Sequence, residues 1–301
     1  MHAFATSERF ARLEPRDRDR LEALSKLDEF SAGAEILSSE KPAEWLYLIA
    51  DGDVEMRATT PHGEVVLAQL KPGDLFGELE GFAHLPHGVR HVAGRETIVR
   101  AVPKSPLLQE LRSHRQLASG MLSVYCRSIS EKLRATNEVA ARMPREPGLS
   151  RPPPAPAPQA SDGPLGRAPH LSPEEAGWLS VLGQQLEVAA GETVVAEGDQ
   201  TRGFYVVEKG LLEVRKLVGG AERALAQLAD RDLFGFMAFV DGKPRSASVV
   251  ALSPCTLTRI EADALEKALR LNFTVSFKFL GTLCGVLGRT LRDTTQKVIS
   301  G

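Results

Sequence analysis

Cysteine is scarce in this sequence: three residues in 301, at 126, 255 and 284, with none in a CxxC pair. That excludes a disulfide framework, and Cys126, Cys255 and Cys284 are expected to be reduced and buried as small apolar side chains. No apolar run approaches the roughly 18 residues a membrane-spanning helix needs. The opening segment, MHAFATSERFARLEPRDRDR, is charged where a secretory signal would be apolar. A cytoplasmic location is the default expectation. Neither sign of charge dominates: 37 Lys and Arg against 39 Asp and Glu leave a net charge of −2. This argues against a general nucleic-acid binder, which needs a basic excess or patch, and against an acidic disordered tail. At about 150 residues per domain the length suggests two domains, each able to bury its own core.

What is present is organised by a duplication. Residues 144–168, PREPGLSRPPPAPAPQASDGPLGRA, are dense in Pro, Gly, Ala and Ser and read as a linker. Shifting the chain by 158 positions superposes the flanking halves: Leu13 on Leu171, Leu21 on Leu179, Gly33 on Gly191, Tyr47 on Tyr205 and Gly52 on Gly210. LAQL at 67–70 recurs at 225–228, and DLFG at 74–77 recurs at 232–235. Cys126 falls on Cys284, and Leu133-Arg134 on Leu291-Arg292. The expected boundaries are a first domain at 8–142, a linker at 143–168 and a second domain at 169–299.

Each copy reads as a helix, many short strands, then helix. Residues 15–30 place Leu21, Leu24 and Leu27 at helical spacing behind a proline start, and 173–182 do the same with Trp178, Leu179 and Leu182. Short β-rich runs follow: AEILSSE, EWLYLIADGDVEMRA and EVVLAQL, then ETVVAEG, GFYVVEKGLLEVRKL and ALAQL. Helical stretches close the copies at about 104–140 and 261–298. Leu280, Leu283, Leu287, Leu291 and Val298 form one apolar stripe, which must cover a barrel mouth or a partner helix. The predicted fold is mainly β with flanking helices: two tandem antiparallel β jelly-roll domains.

Within this frame GETVVAEGDQ (191–200), FYVVEKGLLEV (204–214), LAQLADRDLFG (225–235) and KPRSASVVA (243–251) occur in order, and related segments occur in the first copy. This series resembles the cyclic nucleotide-binding domain family. The tandem is similar to protein kinase A regulatory subunits, and the single domain to the sensor half of catabolite activators. The resemblance covers nearly everything except the linker. It implies a non-catalytic protein with no cofactor, whose ligand is cAMP or cGMP. The family cassette reads roughly F-G-E-x-A-L followed by P-R-x-A. A Glu at the turn accepts from the ribose 2′-hydroxyl, an Arg gives a two-pronged contact to the phosphate, and backbone N–H groups behind a glycine turn complete the cradle.

The two copies depart from the cassette in opposite ways. In the first, Gly77, Glu78 and Leu79 keep the ribose acceptor, but His87 stands at the phosphate position, Arg90 lies three residues on, and Glu80 replaces a small residue. In the second, Arg245, Ser246 and Ala247 keep the phosphate arm and Phe234, Gly235, Met237 and Ala238 the cradle, but Phe236 replaces the ribose Glu. Losing a ribose hydrogen bond costs about 1–3 kcal/mol, and losing the arginine about 2–5 kcal/mol. The second copy is therefore the expected binder.

Other motifs point nowhere else. His84, His87 and His91 are spaced by three and four, but in a loop running into a strand such residues do not converge on a metal, so an exposed loop is expected. No G-x-x-x-x-G-K-[ST], G-x-G-x-x-G or G-x-S-x-G is present. Few residues follow the last helix, so no helix-turn-helix for DNA is expected, and no Arg-Arg-x-Ser/Ala pseudosubstrate occurs in the amino-terminal arm or linker. The expected partners are a cyclic nucleotide, an unidentified protein, and a second copy of the chain through the C-terminal helices. The alternative is a ligand-free scaffold of two degenerate barrels that holds protein partners.

Overall fold

The structure, a computed structural model, describes residues 3–41, 43–79, 82–143, 162–163, 166–167, 181, 183–230 and 232–301. The linker and the helix expected at 173–182 fall almost entirely outside these residues.

The first copy opens with α1 (Ala3–Thr6) and α2 (Pro15–Leu24). Pro15 starts α2 because a first-turn residue needs no N–H acceptor. The helix predicted over 15–30 stops at Leu24, and Lys26–Phe30 forms β1 instead. The reason is tertiary: β1 pairs antiparallel with β8 (Thr97–Pro103), Lys26 opposite Ala101 through Phe30 opposite Thr97, while Leu27 is left half exposed. The strands between are β2 (Glu35–Ser38), β3 (Trp45–Asp51), β4 (Val54–Thr60), β5 (Gly63–Leu70), β6 (Leu75–Phe76) and β7 (Val89–Ala93). They form two four-stranded antiparallel sheets, β1-β8-β3-β6 and β2-β7-β4-β5.

The second copy repeats this with β9 (Gly183–Val188), β10 (Thr193–Val195), β11 (Phe204–Lys209), β12 (Leu212–Val218), β13 (Ala221–Leu228), β14 (Leu233–Phe234), β15 (Ser248–Ala251) and β16 (Cys255–Ile260). Its sheets are β9-β16-β11-β14 and β10-β15-β12-β13. The 158-residue shift carries pairing register as well as residue type. Tyr47 opposite Ala101 becomes Tyr205 opposite Arg259, and the bulge between Met56 and Arg57 recurs between Val214 and Arg215. The second core gathers Val188, Val195, Tyr205, Val207, Leu212, Phe234, Val249, Ala251, Cys255 and Leu257. Cys255 thus serves as a packed apolar side chain.

Each predicted terminal helix is two helices. The first is α3 (Lys104–Ser113) and α4 (Arg115–Arg142), broken at extended His114. The second is α6 (Ala262–Leu271) and α7 (Phe273–Ser300), broken at Asn272, the equivalent position; α5 (Phe236–Asp241) lies between the strands. By compactness one unit runs to Val139 and also takes in Leu280–Gly301, while the other starts at Ala140 and ends at Phe279. The leucine stripe of α7 accordingly lies buried within the first unit, against α4 of the same chain. Cys126 and Cys284 meet there at 2.9 Å. Their contacts are reciprocal: Cys126 Sγ donates to Leu280 O at 3.5 Å and Cys284 Sγ to Leu122 O at 3.4 Å. Among the described residues no helix is long and apolar enough to cross a membrane.

Candidate functional site

In both copies an aromatic pair fixes where the cassette leaves the sheet. Phe76 stacks on Tyr47 and Phe234 on Tyr205, each with ring centroids 4.8 Å apart. In the second copy the chain then turns at Gly235, in the left-handed region at φ +80°, and enters α5. Arg245 returns to this turn from the loop before β15. Only 4% of it is exposed, its Nη1 donates to Gly235 O at 2.6 Å, and its Nη2 donates to Gly203 O. Nε reaches Thr201 Oγ1 at 3.3 Å. The main chain of Arg245 is anchored too: its N–H donates to Asp199 O at 2.8 Å, and its carbonyl accepts from Gly198 at 2.9 Å.

Neighbouring residues pack this arrangement from below. Phe236, Ala238 and Ala247 are buried, and Ser246 Oγ lies 3.8 Å from Met237 Sδ. Lys216 is buried beside the loop and donates to Ser246 O and to Glu197 Oε1, each at 2.9 Å. On the far side of α5, Phe239 meets Phe204 at 5.8 Å and Phe279 of α7 at 6.3 Å, so the cassette helix touches the start of the long terminal helix.

The first copy brings its predicted residues together less fully. Gly77 backs onto the Trp45 carbonyl, where a Cβ would lie only 2.6 Å from the oxygen, and Leu79 is buried. Glu80 lies outside the described residues. Arg90 points away on β7, pairing with Glu64 and, at 3.5 Å, with Glu35. His87 and His84 are exposed. His91, expected in an exposed loop, is instead 3% exposed on β7 and stacks on Phe76 at 5.2 Å. It occupies the core position that Val249 fills in the second copy. Burial, with Lys132 nearby, pushes its pKa down to about 3, so the ring is neutral at physiological pH.

Glu78 is fully buried, and its partners come from α4. Ser128 Oγ donates to Oε1 at 2.9 Å, and Lys132 Nζ forms an ion pair with the same oxygen. Lys132 Nζ also donates to Leu75 O at 2.7 Å and to Ser128 Oγ at 2.9 Å. Sequence reasoning missed Lys132, Ser128, Thr201 and Gly203. The available signal was a lysine beside the apolar side chains of Ile129 and Leu133, which the 158-residue shift places opposite Thr290. A cleft of about 420 Å³ lies against Ser7, Arg9, Asp74 and Arg127 and touches none of the predicted site residues.

The cyclic nucleotide-binding domain family matches at residues 27–114 and again at 185–272, two stretches offset by the same 158 positions. This chain belongs to the cyclic nucleotide-binding domain family. A cAMP-dependent protein kinase regulatory subunit of Mycosarcoma maydis is 30% identical over 124 residues, 41% of this chain and 22% of that protein. The corresponding subunit of Blastocladiella emersonii is 21% identical over 265 residues, 87% of this chain and 54% of that protein. A cyclic AMP receptor protein of Thermus thermophilus is 32% identical over 125 residues, 41% of this chain and 56% of that protein. The chain thus spans from 22% to 56% of the length of these relatives. Two cyclic nucleotide-binding domains thus stand in tandem in this chain.

Proposed function

We propose that the chain is a non-enzymatic regulatory protein that senses cAMP or cGMP through its second copy and signals through α7 to a protein partner. The observation that carries this reading is the placement of Arg245: a buried guanidinium held against the Gly235 turn, at the one cassette that retains the Pro-Arg-Ser-Ala arm. Its carbonyl partners, Gly235 O and Gly203 O, are uncharged, and a phosphate oxygen would replace them with a stronger charge-assisted acceptor. Such an exchange would move the turn and α5, and the Phe239–Phe279 contact would hand that movement to α7. The ligand shifts α7 only by its difference in affinity for the two arrangements.

Calorimetry on the full chain with cAMP, cGMP and a cyclic dinucleotide tests this. Binding that Arg245→Lys weakens roughly 30- to 5,000-fold, the equivalent of about 2–5 kcal/mol, supports the sensor. Silence with all three ligands in a folded protein refutes it. The second reading, a ligand-free scaffold, draws on Phe236, an apolar buried residue where the ribose acceptor would stand. That reading predicts silence.

A further inference from the structure

The buried cluster of Glu78, Ser128 and Lys132 has no counterpart in the second copy, where the same positions carry Phe236, Val286 and Thr290. The carboxylate and the ammonium occur together in one copy and are absent together from the other. This is the pattern of a matched pair, because either charge buried alone would be strongly destabilising. We propose that Lys132 is a built-in occupant of the first copy's ribose-acceptor position: it latches α4 to the cassette and closes that copy to cyclic nucleotides. The proposal rests on reading Glu78 as the position that would receive a ribose hydroxyl.

The distribution of donors supports the latch. An ammonium has three N–H bonds, and Lys132 directs them to Leu75 O, Ser128 Oγ and Glu78 Oε1. None is left for a ligand. On the carboxylate, Oε1 takes both Ser128 and Lys132, while Oε2 is buried without a hydrogen-bond partner. An incoming hydroxyl would have to reach Oε2, an atom that solvent does not touch. The phosphate side is closed to compensation as well, since His87 is exposed and Arg90 is paired on the sheet surface. Each copy thus ties its cassette to a long helix by different chemistry. The second uses the Phe239–Phe279 contact between apolar rings, and the first a buried ion pair that a nucleotide cannot displace without stranding a charge.

A double-mutant cycle on the full chain tests the latch: Glu78→Gln, Lys132→Met and both together, read by thermal unfolding and by amide hydrogen exchange in α4. Each single variant should lose roughly 6–20 °C in Tm, Lys132→Met the most because it leaves a bare buried carboxylate. The double variant should recover most of that loss. If Lys132→Met does not fold, the double variant and Glu78→Gln still decide: the double must be no worse than Glu78→Gln. Additive losses, or singles no worse than surface changes, overturn the latch. So does protection of Leu75–Leu79 from exchange by 1 mM cAMP or cGMP while Lys132 is present. A protein that binds no nucleotide in either copy would sink the sensor reading alone, and the coupling between Glu78 and Lys132 would still be measured by the cycle.

Discussion

Gly235 and Gly242 bracket the six residues of α5, and replacing each by alanine separates backbone strain from crowding at Arg245. Both lie in the left-handed region, at φ +80° and +68°. A side chain there costs about 1–2 kcal/mol at either position. Their surroundings differ. A Cβ on Gly242 meets nothing within 4 Å, whereas one on Gly235 would lie 2.7 Å from Arg245 Nη1 and 3.3 Å from Gly203 O. The guanidinium would have to leave the Gly235 carbonyl, and a hydrogen bond to a charged group is worth about 1.5–3 kcal/mol. Gly235→Ala should therefore cost about 2.5–5 kcal/mol and Gly242→Ala about 1–2 kcal/mol. The gain from a stiffer unfolded chain is common to both and cancels in the comparison. Urea unfolding followed by circular dichroism gives the two costs, and hydrogen exchange of α5 places the loss in the second copy. Equal costs at the two glycines would refute the claim that the Gly235 turn and Arg245 form one unit. Nucleotide affinity provides a second readout, since Gly235→Ala should weaken it and Gly242→Ala should not.

Two more outcomes follow from the first unit. His91 has a folded pKa near 3 against about 6.5 when unfolded, so between those values the unfolded chain holds a proton that the folded chain does not. Its contribution is present above pH 6.5 and lost as pH falls, with a slope of about 1.4 kcal/mol per pH unit. His91→Val, which installs the second copy's residue, should remove that slope from the acid limb of a stability–pH curve; an unchanged slope would mean the ring is not held neutral. Cys126 and Cys284, at 2.9 Å, should join in one intramolecular disulfide under diamide, slowly because burial raises the Cys284 thiol. Peptide mapping should show the loss of two hydrogens at that pair and an untouched Cys255, with a stabilisation of about 5 kcal/mol for so long a loop. A disulfide between chains would contradict the helix pairing.

Most of the barrel was readable because local spacing reports it. Alternation and glycine turns located the inner strands, and the 158-residue shift foretold equivalent registers without saying which strands pair. β1 and β9 were missed, since Lys26–Phe30 and Gly183–Val188 become strands only by adding to the edges of β8 and β16. The breaks at His114 and Asn272 were also silent, because neither residue is a proline or glycine. In the candidate site the motif residues Gly235 and Arg245 could be named in advance. Two further partners of Arg245, Gly203 O and Thr201 Oγ1, lie more than 40 positions before it and have no motif of their own. Glu78 was legible as a ribose acceptor, but its pairing depends on a helix 54 positions later, and only the comparison of Lys132 with Thr290 carries a trace of it.

The packing of α4 on the first half of α7 sets equivalent positions against each other, Leu122 and Cys126 facing Leu280 and Cys284. Two identical chains meeting this way would carry every substitution twice, and a lysine admitted on one side would be imposed on the other. Fusion lifts that constraint. The halves are always present in equal amount whatever the protein concentration, and each is free to drift alone, so one can become rigid while its sibling keeps the capacity to respond.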